Sequence, residues 1–311
     1  MLASLSIVIP VYRSAAGLNI LIDELEVVLP TLTAQYEIIL VDDGSPDHSW
    51  DVIETLRKSH PQVRGFTLMR NYGQHNALLC GIREAQYEII VTMDDDLQHP
   101  PSEIHKLLDK LAEGYDVVYG TPHQEQHGLL RDFASQITKW VLQGSMGVDV
   151  ARNVSAFRAF RTQVRKAFTT YSSAYVSIDV LLTWGTTRFA AVTVQHNPRR
   201  YGTSNYTLVK LIRHALNMIT GFSVLPLQLA SLLGFGLALF GVGVMLYVVG
   251  RALLFGSVVP GFAFLASIIS IFSGAQLFAL GVIGEYLARI HFRTMDRPVY
   301  TVRSSTDQPE K

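Results

Sequence analysis

The chain is poor in several things, and each scarcity narrows the field. One cysteine, Cys80, stands among 311 residues, which excludes an intrachain disulfide and any multi-cysteine zinc site. Cys80 is expected to be a packing residue. Charge is scarce and balanced, with 26 basic and 26 acidic residues and 17% charged residues overall. A neutral chain of this kind is not expected to bind nucleic acid. Gly-x-Gly-x-x-Gly and Gly-Lys-Ser/Thr are both missing, which removes dinucleotide oxidoreductase and P-loop readings. His-Glu-x-x-His is missing too, so His75, His99, His123 and His127 are expected to be solvated or hydrogen-bonded rather than ligands. Met1–Leu5 has no basic segment with a cleavage site, and no signal peptide is expected.

The scarcity of charge is also local. No Asp, Glu, Lys or Arg lies between Arg213 and Arg251, nor from Ala252 to Gly284. Each stretch exceeds the roughly 20 apolar residues needed to cross a bilayer. Spans are predicted at Val224–Val249 and Phe262–Gly284, with a turn over Gly256–Gly261; a helical hairpin buried in a soluble core is the alternative. Arg199, Arg200, Lys210 and Arg213 precede the first span and Arg289, Arg293 and Arg297 follow the second, against Arg251 alone between them. The positive-inside rule then puts both termini on the cytoplasmic face of a multi-pass cell-membrane protein. Tyr206–Thr220 carries Leu208, Leu211, Ile212, Ala215, Leu216 and Ile219 on one helical face, as expected of a helix lying in the interface.

What the first 120 or so residues do have is an alternation of apolar runs and amphipathic stretches. Strands are predicted at Leu5–Val11, Tyr36–Val41, Arg64–Leu68, Glu88–Met93 and Asp116–Tyr119. Helices are predicted at Leu18–Leu29, His48–Ser59, Gln74–Ala85 and Ser102–Glu113, with Asp47 and Ser102 as N-caps. Runs such as Ile38-Ile39-Leu40-Val41 are continuous rather than alternating, which fits strands covered on both faces. The class is α/β with a mostly parallel sheet. Residues 150–200 read as an α/β remainder, and the tail Ser304–Lys311 as disordered.

Polar clusters follow four of these strands: Pro10-Val11-Tyr12, Asp42-Asp43-Gly44-Ser45, Arg70-Asn71-Tyr72-Gly73 and Asp94-Asp95-Asp96-Leu97-Gln98. Open α/β sheets bind ligands beyond the carboxyl ends of their strands, so four such clusters should converge on one crevice. Three adjacent carboxylates repel unless a cation or hydrogen-bond donors offset them. A divalent ion on a nucleotide diphosphate would do so. Asp42–Ser45 alone could be an ordinary turn.

This ordered set resembles the inverting GT-A glycosyltransferases of family 2. Asp94–Pro101 is similar to the branch making polyprenyl-phosphate sugars, which includes dolichol-phosphate mannose synthase and bacterial undecaprenyl-phosphate glucosyltransferases of the GtrB type. The resemblance implies a Rossmann-like GT-A domain over 1–204, a juxtamembrane helix over 205–222, a transmembrane hairpin over 223–285 and a cytoplasmic tail over 286–311. It implies that Pro10, Tyr12 and Asp42 surround the base and ribose, and that Arg70, Asn71 and Gly73 border the nucleotide and sugar. Asp94 would contact the nucleotide, with Asp95 beside it as an outward-facing or supporting acid, while Asp96 and Gln98 hold Mg²⁺ or Mn²⁺. Arg131, Arg199, Arg200, Ser204 and Tyr206 would meet the acceptor phosphate; Arg158 would be acceptor-facing or structural. Arg70 as a surface ion pair, and Arg199 with Arg200 as a plain positive flank, are the alternatives. The sequence departs from the family pattern at Arg13-Ser14, where Asn-Glu is usual, at Asn205, where lysine is usual, and at Asp95, more often alanine.

The expected activity is transfer of a sugar, glucose from UDP-glucose by analogy, onto undecaprenyl phosphate with inversion. UDP-N-acetylglucosamine, GDP-mannose or an aminosugar donor is the alternative, as is a non-catalytic membrane scaffold. A processive polysaccharide synthase is disfavoured because Gln-x-x-Arg-Trp is absent. Glycines in the spans, and the resemblance, suggest a homo-oligomer, with a tetramer possible.

Overall fold

The computed structural model describes residues 4–122, 153–173, 176–197, 224–255, 261–295 and 297–307. They divide between two units, one within Met1–Arg213 and Asp296–Lys311, the other within His214–Met295.

In the first unit the apolar runs become strands that neighbour one another. The described elements are β1 (Leu5–Val11), α1 (Leu18–Leu32), β2 (Tyr36–Asp42), α2 (Ser49–Ser59), β3 (Val63–Leu68), α3 (Gln74–Glu84), β4 (Ile89–Thr92), α4 (Ile104–Ala112), β5 (Val117–Pro122), β6 (Arg158–Arg161), α5 (Ile178–Gly185) and β7 (Phe189–Val194). The last strand, β8 (Val302–Ser305), lies far along the chain. The sheet order is β7-β5-β6-β4-β1-β2-β3-β8. Its centre, β4-β1-β2-β3, is parallel, with Ile7 opposite Ile38 on one side and Val91 on the other. All seven residues of β1 are buried, as its unbroken apolar run requires. Leu18, Leu21, Ile22, Leu25 and Leu29 of α1 are buried at helical spacing. Burying each such side chain stabilises the fold by roughly 1.5–3 kcal/mol.

Several expectations change. The tail expected to be disordered is ordered as far as it is described, residues 308–311 lying outside the described residues: β8 pairs antiparallel with β3, placing Ser305 opposite Phe66. Thr306 donates its N–H to Gly65 and receives one from it at Oγ1, both at 2.9 Å. Backbone pairing at an open sheet edge needs no apolar pattern, which is why a polar stretch joins it. β6 runs antiparallel between β4 and β5, so the mostly parallel sheet is interrupted there. Ser102 does not cap α4, because a 3₁₀ turn over Pro101–Glu103 leads into the helix. Asp47 does meet the start of α2, accepting the Ser49 hydroxyl at 2.7 Å and its N–H at 3.3 Å.

In the second unit α6 (Leu225–Phe255) and α7 (Phe262–Thr294) are longer than the predicted spans. Leu225–Arg251 and Ile271–Thr294 have mean hydropathies of 2.3 and 1.4, and both are long and apolar enough to cross a membrane. Leu232, Phe235, Leu246 and Leu277 are exposed, contrary to a hairpin buried in a soluble core. The amphipathic segment at 205–222 lies outside the described residues.

Candidate active site

At the carboxyl edge of the parallel strands, four loops are laced into a chain of hydrogen bonds. β1 and β2 are linked first: Asp43 donates its N–H to the Val11 carbonyl at 2.9 Å, and Arg13 donates its N–H to the Ser45 hydroxyl at 3.1 Å. The β2 loop holds the β3 loop, because the Asp43 carboxylate accepts the N–H groups of Tyr72 and Gly73 at 2.7 and 2.8 Å. At the base of α3, Gln74 donates its amide to Asp94 at 2.6 Å, reaching the β4 loop. Asp95 closes the circuit by accepting the Tyr12 N–H at 3.3 Å and the Ser14 hydroxyl at 2.5 Å. The expected convergence of four strand ends is thus a bonded ring.

Glycine is required at two points of that ring. Gly44 has φ +64°, and a Cβ there would lie 2.5 Å from the Arg70 carbonyl carbon and 2.8 Å from the Asn71 nitrogen. Only a residue without a side chain lets the β2 and β3 loops touch. Gly73, at φ +96° and ψ 150°, opens α3 with space around it, so its requirement is torsional.

The remaining expected residues fall as follows. Pro10 is buried in β1, and the Tyr12 ring is 37% exposed with the Arg13 guanidinium 5.3 Å from its centroid. Asp42 is buried; its two oxygens accept the Ser45 N–H at 3.1 Å and the Thr67 hydroxyl at 2.7 Å. Arg70 is exposed and stacks on Tyr72 at 4.6 Å, and Asn71 is exposed beside it. Asp96 is largely buried and accepts the Gln98 N–H at 3.1 Å. The Gln98 side-chain amide nitrogen lies 3.2 Å from His196 Nε2, and the Gln98 backbone carbonyl accepts the Asn197 N–H at 2.8 Å. Arg131, Arg199, Arg200, Ser204 and Tyr206 lie outside the described residues.

Three expectations are narrowed. Asp95 is not outward-facing; it turns back to the β1 loop. Arg158 was expected to be acceptor-facing or structural: it is 2% exposed, ion-paired with Asp179 and bonded to the Thr92 hydroxyl at 3.1 Å, contacts that fit the structural alternative. His99 is not solvated; it stacks on Phe157 at 5.1 Å and meets His196 edge-on at 4.9 Å. Burial depresses its pKa to about 4, so the ring is neutral. Sequence reasoning missed Ser14, Asp43, Ser45 and Gln74 as the groups that tie the loops. Asp43 and Ser45 carried a signal, standing in the strand-end cluster with Asp42 and Gly44.

Electrostatically the edge is acidic and partly desolvated. Burial raises the carboxyls of Asp43 and Asp95 to about 6, against the lowering effect of the N–H and O–H donors they accept. The donors gathered by the β4 loop are carboxylate and carboxamide oxygens, which suit a hard cation such as Mg²⁺ or Mn²⁺. Among the described residues no group of three His, Cys, Asp or Glu side chains is arranged to hold a metal. A site of that kind fits an ion that draws its other ligands from substrate and water.

The parallel-centred α/β sheet, with an acidic loop after its fourth strand, is a GT-A fold. Residues 6–170 match the family described as Glycosyl transferase family 2, and the chain belongs to it. It is 36% identical over 301 residues to an undecaprenyl-phosphate 4-deoxy-4-formamido-L-arabinose transferase of Shewanella sediminis, covering 96% of this chain and 91% of that protein. The transferase of the same name from Yersinia pestis is also 36% identical, over 302 residues, with coverages of 96% and 92%. The fold matches glucosyl-3-phosphoglycerate synthase from Mycobacterium tuberculosis, crystallised with Mn²⁺, UDP and glucosyl-3-phosphoglycerate. The TM-score is 0.51 at 17% identity, over 70% of this chain and 78% of that one.

Proposed function

We propose that the protein transfers an aminosugar, of the 4-deoxy-4-formamido-L-arabinose kind, from a nucleotide donor to undecaprenyl phosphate at the cytoplasmic membrane face. The observation that carries this reading is the similarity to the named transferases across 96% of the chain, apolar helices included. It favours an aminosugar over the glucose expected by family analogy.

A lipid phosphate oxygen attacks the anomeric carbon as the bond from that carbon to the nucleoside diphosphate breaks on the opposite face, so the configuration inverts. A phosphate monoester is largely ionised near neutrality, its second pKa being about 6, and needs little help from a general base. The protein's task is then to set two anions against each other. Tyr12 and Arg70 flank the base and sugar; Arg131, Arg199 and Arg200 draw the lipid phosphate through charge-assisted hydrogen bonds. Asp96 and Gln98, with Asp94 on the nucleotide, would hold Mg²⁺ or Mn²⁺. The bound ion would stabilise negative charge growing on the departing diphosphate.

Topology has its own support. The chain leaves the sheet after β7, passes through two candidate spans and re-enters the same sheet as β8. Two crossings would leave both ends of the hairpin on one side, and the arginines flanking it support the cytoplasm as that side.

The test is a panel of radiolabelled donors, nucleotide-linked 4-deoxy-4-formamido-L-arabinose and UDP-glucose among them, incubated with undecaprenyl phosphate with and without EDTA. Label should enter organic-extractable lipid from the aminosugar donor and should stop with EDTA. A preference for UDP-glucose would overturn the donor assignment, and no lipid product from any donor would overturn the reaction.

A further inference from the structure

Three neighbouring carboxylates of the β4 loop have three different partners. Asp94 accepts the Gln74 amide, Asp96 accepts the N–H of Gln98 in its own loop, and Asp95 crosses to the β1 loop. That crossing bridges 81 residues of sequence and engages two donors on one oxygen, Tyr12 N–H and Ser14 Oγ–H. Ser14 is itself anchored, its N–H donating to the Ser49 hydroxyl at 3.0 Å. Both loops are strained at this place: Arg13 and Leu97, at φ 58° and 59°, are the positive-φ residues other than glycine among those described. Bulky side chains hold such torsions only where surrounding contacts over-determine them. Arg13 directly precedes Ser14 and Leu97 lies two residues after Asp95, and the exposed Tyr12 ring hangs from the backbone that the Asp95 bonds fix.

We propose that Asp95 is a positioning residue: its carboxylate clasps Tyr12 and Ser14, fixing the β1 loop against the β4 loop so that Tyr12 and the acidic loop grip one nucleotide together. Asp95 acts through Tyr12 and touches neither sugar nor lipid. The inference rests on the proposed function for the identity of the ligand.

The experiment uses the full-length protein in detergent, with steady-state kinetics in both substrates. Asp95→Ala should raise the KM for the nucleotide sugar by about tenfold or more, the effect of losing hydrogen bonds to a charged group. The KM for undecaprenyl phosphate should stay within about twofold, and kcat within about threefold. Ser14→Ala should move the donor KM the same way by a smaller factor, about threefold, since the Tyr12 N–H bond remains. Asp95→Asn, which retains an acceptor oxygen, and the exchange Ser14→Asp with Asp95→Ser should each recover most of the donor affinity. An unchanged donor KM in both alanine variants would overturn the clasp, as would a loss restored by neither the asparagine nor the exchange variant. Equal damage to both KM values with a lowered melting temperature would show a structural role only. If wild-type protein turns over no nucleotide sugar, the proposed function fails instead, so the two failures are distinct.

Discussion

The two ends of the parallel strands both bury acids, and they compensate them differently. At the amino end Glu37 is 4% exposed and ion-paired to Arg64 at 2.6 Å; it also accepts the Ser6 hydroxyl and the Gln86 N–H, both at 2.7 Å. Arg64 reaches on to Asp307 beyond β8 at 2.7 Å, so this network ties β1, β2, β3 and the returning chain together. At the carboxyl end Asp42, Asp43 and Asp95 accept hydrogen bonds from neutral N–H and O–H groups. A carboxylate paired with a cation serves the fold, whereas one held by neutral dipoles keeps a negative field available. The first arrangement suits a structural joint and the second a surface built to take a cation and its anionic substrate.

The sharpest test of that contrast sets Asp96→Ala against Glu37→Gln. Asp96→Ala should cut turnover at least a hundredfold, roughly 3 kcal/mol or more of transition-state stabilisation, while the melting temperature falls only slightly. Glu37→Gln should do the reverse. It leaves the partly buried Arg64 with Asp307 as its close counter-charge, costing about 1.5–3 kcal/mol of stability, with kcat per folded molecule unchanged. Denaturant titration beside the transfer assay reads both, and a Glu37 variant impaired in turnover but not in stability would break the distinction.

Next in size are the two glycines of the site. Gly44→Ala should cost about 2–3 kcal/mol, because its Cβ would collide with the Arg70 backbone as well as strain φ, and it should raise the donor KM by displacing Arg70 and Asn71. Gly73→Ala meets no neighbour, so only its torsional cost of about 1–2 kcal/mol is expected. Equal effects on the donor KM would mean that the loop contact at Gly44 is unimportant.

The smallest effect is the pH dependence carried by Asp43. Its carboxyl titrates near 6 in the fold, above its ordinary value of 3.8. Between about pH 4 and 6 the folded state therefore keeps a proton that the unfolded chain has lost, and stability falls as pH rises through that window. Asp43→Asn should remove this slope, so the stability of wild type minus that of the variant should shrink from pH 4 to 6 and then level off. A difference that grows with pH would show that the hydrogen bonds from Tyr72 and Gly73 outweigh desolvation.

The parallel centre of the fold was legible because strands covered on both faces leave an unbroken apolar signature, as at Ile38–Val41. β8 left no trace: Val302-Arg303-Ser304-Ser305 is polar, and its partner β3 lies more than 200 residues earlier. The site divides the same way. Strand-end clusters pointed to the crevice, because topology alone delivers them there. Which acid bonds which loop was not readable, since Asp95 and Ser14 meet only after the β4 and β1 ends are set side by side. Arg158 was singled out by the resemblance alone, and only the fold shows its bonds to Asp179 and Thr92.

The β3–β8 pairing also constrains how this molecule can be made. Residues leave the ribosome in order, so the last strand of the catalytic sheet emerges only after the hairpin does. Until then the outer edge of β3 offers unpaired N–H and C=O groups, a template for association with other chains. A soluble fragment ending before the hairpin would carry that open edge permanently. Appending the segment around 297–307 to such a fragment, through a short linker, is the rational way to close it.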